Sequence, residues 1–111
     1  MYVPFATVEP HRDAIDALAG PAMVEFGSPW CGHCTAAQPL IAAALEGHSG
    51  VRHIKIADGA GRPLGRSFNV KLWPTLIFLA DGKEALRLVR PAASSEIAAA
   101  LVQIDKRPSD P

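Results

Sequence analysis

The chain is poor in cysteine and tyrosine and carries no net charge. Its 111 residues include two cysteines and one tyrosine, and 11 Lys and Arg balance 11 Asp and Glu. Two cysteines are too few for a disulfide-stapled scaffold, and zero net charge gives no support for binding nucleic acid. With 49% hydrophobic residues, the chain is expected to form one domain over 1–111, with a core over about 11–105.

A long apolar run is also missing. No stretch approaches the roughly 20 apolar residues that span a membrane, and the first five residues lack a basic segment followed by an apolar one. We therefore expect a cytoplasmic protein with no membrane contact. A chain from which a leader had been removed would look the same.

Both cysteines lie in one short stretch, Trp30-Cys31-Gly32-His33-Cys34. If Cys31 begins a helix, its sulfur meets unpaired backbone N–H groups and the positive end of the helix dipole, which favour a thiolate. Cys34 then lies one turn further along, where its sulfur is able to close a disulfide. The spacing predicts a redox-active dithiol.

Other uses of the two cysteines are weaker. A structural zinc site commonly needs four Cys or His ligands, and the chain offers no second cysteine pair, only separate histidines at His11, His48 and His53. A structural disulfide closing so small a loop would remove little chain entropy. We expect neither a metal nor a bound organic cofactor.

Helical and strand patterns alternate along the chain. Periodicity and turn residues predict strands over 22–26, 51–57, 75–79 and 85–89, the last two joined by a turn at Asp81-Gly82. Helices are predicted over 11–18, over 34–45 with a kink at Pro39, over 62–68, and after a cap at Ser94 or Ser95 with Ile97, Leu101 and Ile104 buried. This order predicts an α/β fold, with a mixed sheet of four to five strands and helices on both faces. The tail 106–111 is expected to fray.

Residues 23–34, M-V-E-F-G-S-P-W-C-G-H-C, resemble the active-site stretch of the catalytic domains of protein disulfide isomerase, within the thioredoxin-fold family. Trp73-Pro74-Thr75 is similar to the family's cis-proline loop, and Pro39, Lys55 and Asp81-Gly82 are further matches. The resemblance covers about 20–105, and several motifs in the right order are far more specific than C-x-x-C alone.

The resemblance implies a thiol–disulfide oxidoreductase. Cys31 is expected to attack the substrate disulfide, and Cys34 to resolve the mixed disulfide that results. The implied partners are protein disulfides or dithiols, with a reductase or glutathione as electron donor, and the protein is expected to be a monomer.

Glu25 is anomalous in an apolar strand. An ionised carboxylate there costs several kcal/mol unless it is paired or protonated. We expect it to accept the Cys34 proton, through water, because perturbed groups cluster at functional sites. The alternative is a structural pair with Lys55 on the neighbouring strand; Lys55 is also expected to tune the redox centre.

Gly32 and His33 between the cysteines are expected to set the redox potential. An imidazole beside Cys31 stabilises its thiolate, and therefore the reduced form. By resemblance, the reducing thioredoxins have proline at this position. The site should lie nearer the roughly −180 mV of the isomerase than the roughly −270 mV of thioredoxin. A solvated His33 without influence is the alternative.

Trp73, Pro74 and Thr75 form the substrate platform that the resemblance implies. A cis peptide before Pro74 would leave the Trp73 backbone open to pair with an extended substrate. Trp30 and Trp73 are expected to flank the sulfur as an apolar patch, although Trp30 equally suits ordinary half-buried packing.

Three positions depart from the family pattern: Gly27 in place of an aromatic residue, Thr35 in place of lysine, and Arg90-Pro91 in place of a glycine. Arg90 suits carboxylate-bearing substrates or is a plain surface charge, and we favour the surface charge. Two other functional classes are kept as alternatives. One is a non-catalytic thioredoxin-fold binding module, and the other is a Cu(I)-handling protein whose two soft thiolates bind the ion.

Overall fold

The computed structural model describes residues 4–6 and 8–105. In chain order its elements are α1 (Arg12–Asp16), β1 (Pro21–Gly27), α2 (Gly32–Leu45), β2 (Arg52–Ala57), α3 (Pro63–Ser67), β3 (Thr75–Ala80), β4 (Lys83–Val89) and α4 (Ser94–Ile104). Each predicted helix and strand is present, and the predicted α/β class is confirmed. The predicted fraying of 106–111 falls outside the described residues.

The four strands form one mixed sheet in the order β2-β1-β3-β4. β1 runs parallel to β2 and antiparallel to β3, and β4 pairs antiparallel with β3. Ala6 adds an isolated parallel bridge to Ile56, with its N–H donating to the Lys55 carbonyl at 2.8 Å. This contact places part of the chain before residue 11 against the sheet, beyond the core expected from the sequence.

Helices cover both faces of the sheet, which explains why β1 is apolar almost throughout. Met23 packs in one cluster with residues of α2 and α4, whereas Val24 and Phe26 pack on the other face with residues of α1 and α3. Because side chains alternate along a strand, Glu25 shares the Met23 face and points toward α2. The strand thus delivers a carboxylate beneath the helix that carries the cysteines.

The helix α2 begins at Gly32, two residues before its predicted start, with Cys31 as its N-cap. Pro39 lies inside the helix, as predicted, and Ile41 and Ala44 are buried on the core side. The early start follows from the cysteine itself, because its sulfur accepts the hydrogen bond that a serine or aspartate would accept at an ordinary N-cap.

The start of α4 corrects one prediction. Its N-cap is Ala93, and no side-chain hydrogen bond caps the helix. Ser94 and Ser95, either of which was expected as the cap, are the first two helical residues instead. Burial of the apolar stripe is confirmed, since Ile97, Leu101 and Ile104 are all buried; packing of that stripe fixes the helix whether or not a hydroxyl caps it.

Candidate active site

A short turn holds Cys31 at the amino end of α2. The Ser28 hydroxyl accepts a hydrogen bond from the Trp30 N–H at 3.1 Å, and the Ser28 carbonyl accepts one from the Cys31 N–H at 3.3 Å. The Cys31 sulfur in turn accepts the Cys34 N–H at 3.2 Å. This geometry places the half-buried Cys31 sulfur among the backbone N–H groups at the positive end of the helix dipole.

Cys34 lies in a different environment, with only 1% of its surface exposed. Burial, followed by the hydrogen bond and charge of Cys31 and the charge of Glu25, raises the Cys34 pKa to about 12. Both cysteines are free thiols in this structure. At neutral pH Cys34 is therefore protonated, and it needs a proton acceptor before it can attack.

Gly27 makes room for the Cys34 sulfur. A Cβ on Gly27 would lie 2.6 Å from Cys34 Sγ and 3.2 Å from Cζ of Phe5. The Phe5 ring, from the amino-terminal segment, thus occupies space beside the position where the family usually carries an aromatic side chain. Gly27 therefore leaves space for both Cys34 Sγ and the Phe5 ring.

Glu25 is fully buried, and both of its carboxylate oxygens have nitrogen partners. Oε1 lies 2.9 Å from His53 Nε2, and Oε2 accepts a hydrogen bond from Gln38 Nε2 at 2.8 Å. The same Gln38 nitrogen donates to the Cys34 carbonyl at 2.8 Å. One amide group therefore connects the buried carboxylate to the first turn of α2.

Lys55 belongs to the same network. Its ammonium donates to Gln38 Oε1 at 2.8 Å and lies 4.5 Å from the centroid of the Phe5 ring. Gln38 therefore hydrogen-bonds both to Glu25 and to Lys55, the two residues that the alternative interpretation of Glu25 would pair. We call this set of side chains, Glu25, Gln38, His53 and Lys55, the buried polar network.

Sequence reasoning missed Gln38 and His53. Signals for both were present: His53 lies two residues before Lys55 and so shares its strand face, and Gln38 lies four residues after Cys34 and so shares its helix face. What the sequence did not show is that the two faces meet at Glu25.

The predicted substrate loop lies beside Cys31. The Trp73–Pro74 peptide is cis, and the Trp73 carbonyl oxygen is 4.0 Å from Cys31 Sγ. Asp58 fixes the indole, whose Nε1 donates to Oδ2 at 2.9 Å. Thr75 is buried, and its hydroxyl donates to the Leu72 carbonyl at 2.6 Å, so it supports the loop from within.

Two expectations about neighbouring residues are corrected. Arg90 is not a plain surface charge, because its Nε donates to the Trp73 carbonyl at 2.7 Å. The Trp73 backbone was expected to pair with an extended substrate, and its carbonyl accepts this one hydrogen bond within the chain. Trp30 is 91% exposed, which excludes half-buried packing for its ring. His33 and Gly32 are exposed in the first turn of α2.

The described residues contain neither a cluster of metal ligands nor a membrane-spanning helix. In 4–6 and 8–105, no three His, Cys, Asp or Glu side chains are grouped as a metal ion would require. Over the same ranges, none of the helices has the length and apolar character needed to cross a membrane.

The family model for thioredoxin matches residues 3–103, and the chain belongs to the thioredoxin family. Among solved structures, the chain is similar to thioredoxin 2 from Pseudomonas aeruginosa PAO1 in its reduced form. The two are 51% identical, with a TM-score of 0.84 over 94% of this chain and 96% of that one. This likeness extends over nearly the whole of both chains.

Curated relatives come from two groups of proteins. Protein disulfide-isomerase erp38 of Neurospora crassa is 45% identical over 75 residues, covering 64% of this chain and 20% of that protein. Thioredoxin Asp f 28 of Aspergillus fumigatus is 32% identical over 65 residues, covering 59% of this chain and 60% of that protein. The chain thus spans less than two thirds of the length of these relatives.

Proposed function

We propose that the protein is a thiol–disulfide oxidoreductase that exchanges disulfides with protein or small thiol substrates. The observation that carries the proposal is the contrast between its two sulfurs. Cys31 Sγ caps a helix at 3.2 Å from the Cys34 N–H, whereas Cys34 is a buried thiol with a pKa of about 12. One sulfur is suited to attack a substrate, and the other is protected until it is needed.

The first step is attack by the Cys31 thiolate on a sulfur of the substrate disulfide. A Cys31–substrate disulfide forms, the substrate S–S bond breaks, and the leaving sulfur departs as a thiolate that takes a proton from water. The cis-proline loop, at the half-buried Trp73, would hold the substrate beside the sulfur.

The second step is attack by Cys34 on Cys31 Sγ. Cys34 gives up its proton, the Cys31–Cys34 disulfide forms, and the second substrate sulfur leaves as a thiolate. Two electrons have then passed from the protein to the substrate, and a reductase or glutathione would return them. In this proposal the protein acts as a single-domain monomer; the cytoplasmic location stays a prediction.

Glu25 is proposed as the acceptor of the Cys34 proton, through water. Its charge is among the causes that raise the Cys34 pKa, so the carboxylate lies close enough to the thiol to influence its ionisation. Gln38 ties the carboxylate to the Cys34 carbonyl, and His53, with a side chain 14% exposed, connects it toward the surface. The buried polar network thus places an ionisable group under the resolving cysteine.

A non-catalytic binding module and a Cu(I)-handling protein are the less favoured alternatives. The arrangement of Cys31, Cys34, Glu25 and the cis peptide at Pro74 has a use in disulfide exchange at each position, which a simple binding module would not need. An anaerobic Cu(I) titration tests the second alternative directly.

Trapping of mixed disulfides tests the proposal. The Cys34→Ser variant should accumulate a covalent complex with a disulfide substrate on Cys31, because the resolving sulfur is gone. The Cys31→Ser variant should accumulate none, because Cys34 is buried and protonated. Non-reducing gels and mass spectrometry of the adduct read out both results.

The two variants serve as each other's control, since each keeps one thiol. Equal trapping by the two, or no trapping by either, would contradict the roles assigned to the cysteines. Circular dichroism establishes that both variants retain the fold.

A further inference from the structure

Arg90 follows β4 and is held against the cis-proline loop by its backbone. Its N–H donates to the Pro74 carbonyl at 3.0 Å, and its φ is +50°, a conformation that residues other than glycine adopt rarely. By resemblance, the family usually has glycine at this position. Arg90 therefore places a long cationic side chain at a position where the backbone conformation favours glycine, which has no side chain.

The side chain of Arg90 lies beside the nucleophile. Its Nε donates to the Trp73 carbonyl at 2.7 Å, and Cys31 Sγ lies 4.0 Å from the same oxygen. This bond uses one of the five N–H donors of the guanidinium. In the described part of the chain, no carboxylate pairs with it.

A groove of about 280 Å³, lined in part by Arg90, lies between the start of α2 and the segment after β4. Its lining consists of apolar side chains and two basic ones, and it contains no acidic residue; the residues are His33, Ala36, Ala37, Leu40, Arg90, Pro91 and Ala92. We call it the Arg90 groove. It combines apolar side chains with the positive charge of Arg90, whose Nε donates to the carbonyl oxygen that lies 4.0 Å from Cys31 Sγ.

We propose that the Arg90 groove binds a carboxylate located within a few residues of the cysteine in the disulfide substrate. The inference rests on the proposed function. A guanidinium is a planar fork that pairs well with a carboxylate. The bond to Trp73 already restricts the side chain, so less conformational freedom is lost when the carboxylate binds.

The carboxylate has two sources with the same chemistry. It is an acidic side chain near the cysteine of a protein substrate, or a carboxylate of a small peptide thiol such as glutathione. Either would direct the reacting disulfide toward Cys31 while leaving the basic chemistry of exchange unchanged.

Matched peptides test the proposal. Each peptide carries one cysteine as a mixed disulfide with 2-thiopyridine, whose release reports attack by Cys31, and Asp or Asn at one of the three positions on either side. Reduced wild-type protein should react with the best Asp peptide about fivefold faster than with its Asn partner, as a charged pair of modest strength requires. About 0.5 M salt should reduce this ratio.

Three variants show whether the ratio of Asp-peptide to Asn-peptide rates depends on Arg90. Arg90→Gln should bring it close to one, and Arg90→Lys should keep part of it. Lys83→Gln, which removes a positive charge at the opposite end of β4, should leave it intact. If Arg90 only supported the Trp73 carbonyl, Arg90→Gln would change the rates for both peptides together and leave their ratio as in the wild type, which would overturn the proposal.

A glutathione arm separates the two sources. The thiopyridyl disulfide of glutathione is compared with that of its diethyl ester, and a preference for the free acid that Arg90→Gln removes supports a small-thiol substrate. A ratio of one in both the peptide and the glutathione arms overturns the groove assignment alone. Absence of any reaction, together with absence of trapping by Cys34→Ser, overturns the proposed function and the groove with it.

Discussion

At the scale of single residues, the site depends on how a carboxylate is kept in an apolar strand. Glu25 has a nitrogen within 2.9 Å of Oε1 and a nitrogen donor at 2.8 Å from Oε2. Such partners offset the several kcal/mol that burial of a lone charge would cost. The network therefore keeps an ionisable group where an apolar side chain would be easier to accommodate.

The variant Glu25→Gln should slow release of the mixed disulfide while leaving the attack by Cys31 largely intact. Burial is the largest cause of the raised Cys34 pKa, about 12, and it persists when Cys31 is bound to substrate. Without an acceptor, release should depend on the Cys34 thiolate and rise about tenfold per pH unit between about pH 6 and about pH 9.5. Single-turnover kinetics of wild type and variant measure both steps.

The difference between wild type and Glu25→Gln should be largest near neutral pH and shrink as pH rises toward the Cys34 pKa. Loss of the Glu25 charge also lowers the Cys34 pKa, which works against the effect. That charge is, however, the smallest of the causes that change the Cys34 pKa. Glu84→Gln, on β4, is the charge-matched control. If the Glu25→Gln variant released product at the wild-type rate at every pH, or if it failed to fold, the role of Glu25 would be structural.

His33 is expected to set the redox potential. It lies in the first turn of α2, where proline is tolerated, so His33→Pro should fold normally and become more reducing by tens of millivolts, about 30 mV corresponding to roughly 1.4 kcal/mol. His33→Gln separates loss of the imidazole from the rigidity of proline. If neither substitution shifts the glutathione equilibrium, His33 has no part in setting the potential.

At the scale of helices and strands, backbone conformation limits which residues the turns accept. Asp81 and Gly82 in the β3–β4 hairpin have φ of +51° and +79°, matching the Asp-Gly turn predicted from the sequence. Gly82 also approaches the Asp16 carbonyl so closely that an added Cβ would overlap it. The hairpin and α1 are therefore packed through a glycine.

Three glycine-to-alanine substitutions should form a graded series. Gly47→Ala meets nothing within 4 Å and should be close to neutral or slightly stabilising; Gly20→Ala also meets nothing, but its φ is +78°, which should cost about 1 kcal/mol. Gly82→Ala combines positive φ with backbone overlap and should cost more than about 2 kcal/mol. Urea unfolding measures all three. A Gly82→Ala protein as stable as Gly20→Ala would contradict the packing described for the hairpin.

Periodicity predicted the helices and strands because burial on one face leaves a repeating pattern, and most boundaries differ by one or two residues. A helix beginning at Cys31 was the premise of the dithiol prediction, whereas the apolar pattern placed the start of α2 at Cys34, because Cys31 is not one of the usual N-cap residues. The predicted cap of α4 was wrong because a serine hydroxyl indicates only where a helix is able to begin. The position of this helix is set by the packing of Ile97 and Leu101.

At the scale of the whole molecule, the site is assembled from distant parts of the chain. Gln38 is 13 residues from Glu25, His53 is 28 residues from it, and Trp73 is 42 residues from Cys31. Motif matching predicted Cys31, Cys34 and the cis-proline loop because each is a contiguous signal. Contacts such as Arg90 with Trp73 join segments whose proximity only the folded sheet creates.

Equilibration with glutathione tests most directly whether Cys31 and Cys34 act as one exchangeable pair. Purified protein is incubated with defined ratios of reduced to oxidised glutathione and alkylated, and the Cys31–Cys34 disulfide is quantified by mass spectrometry. We predict a single two-electron transition, nearer to roughly −180 mV than to roughly −270 mV. Two independent glutathione adducts, or no intramolecular disulfide at any ratio, would contradict it.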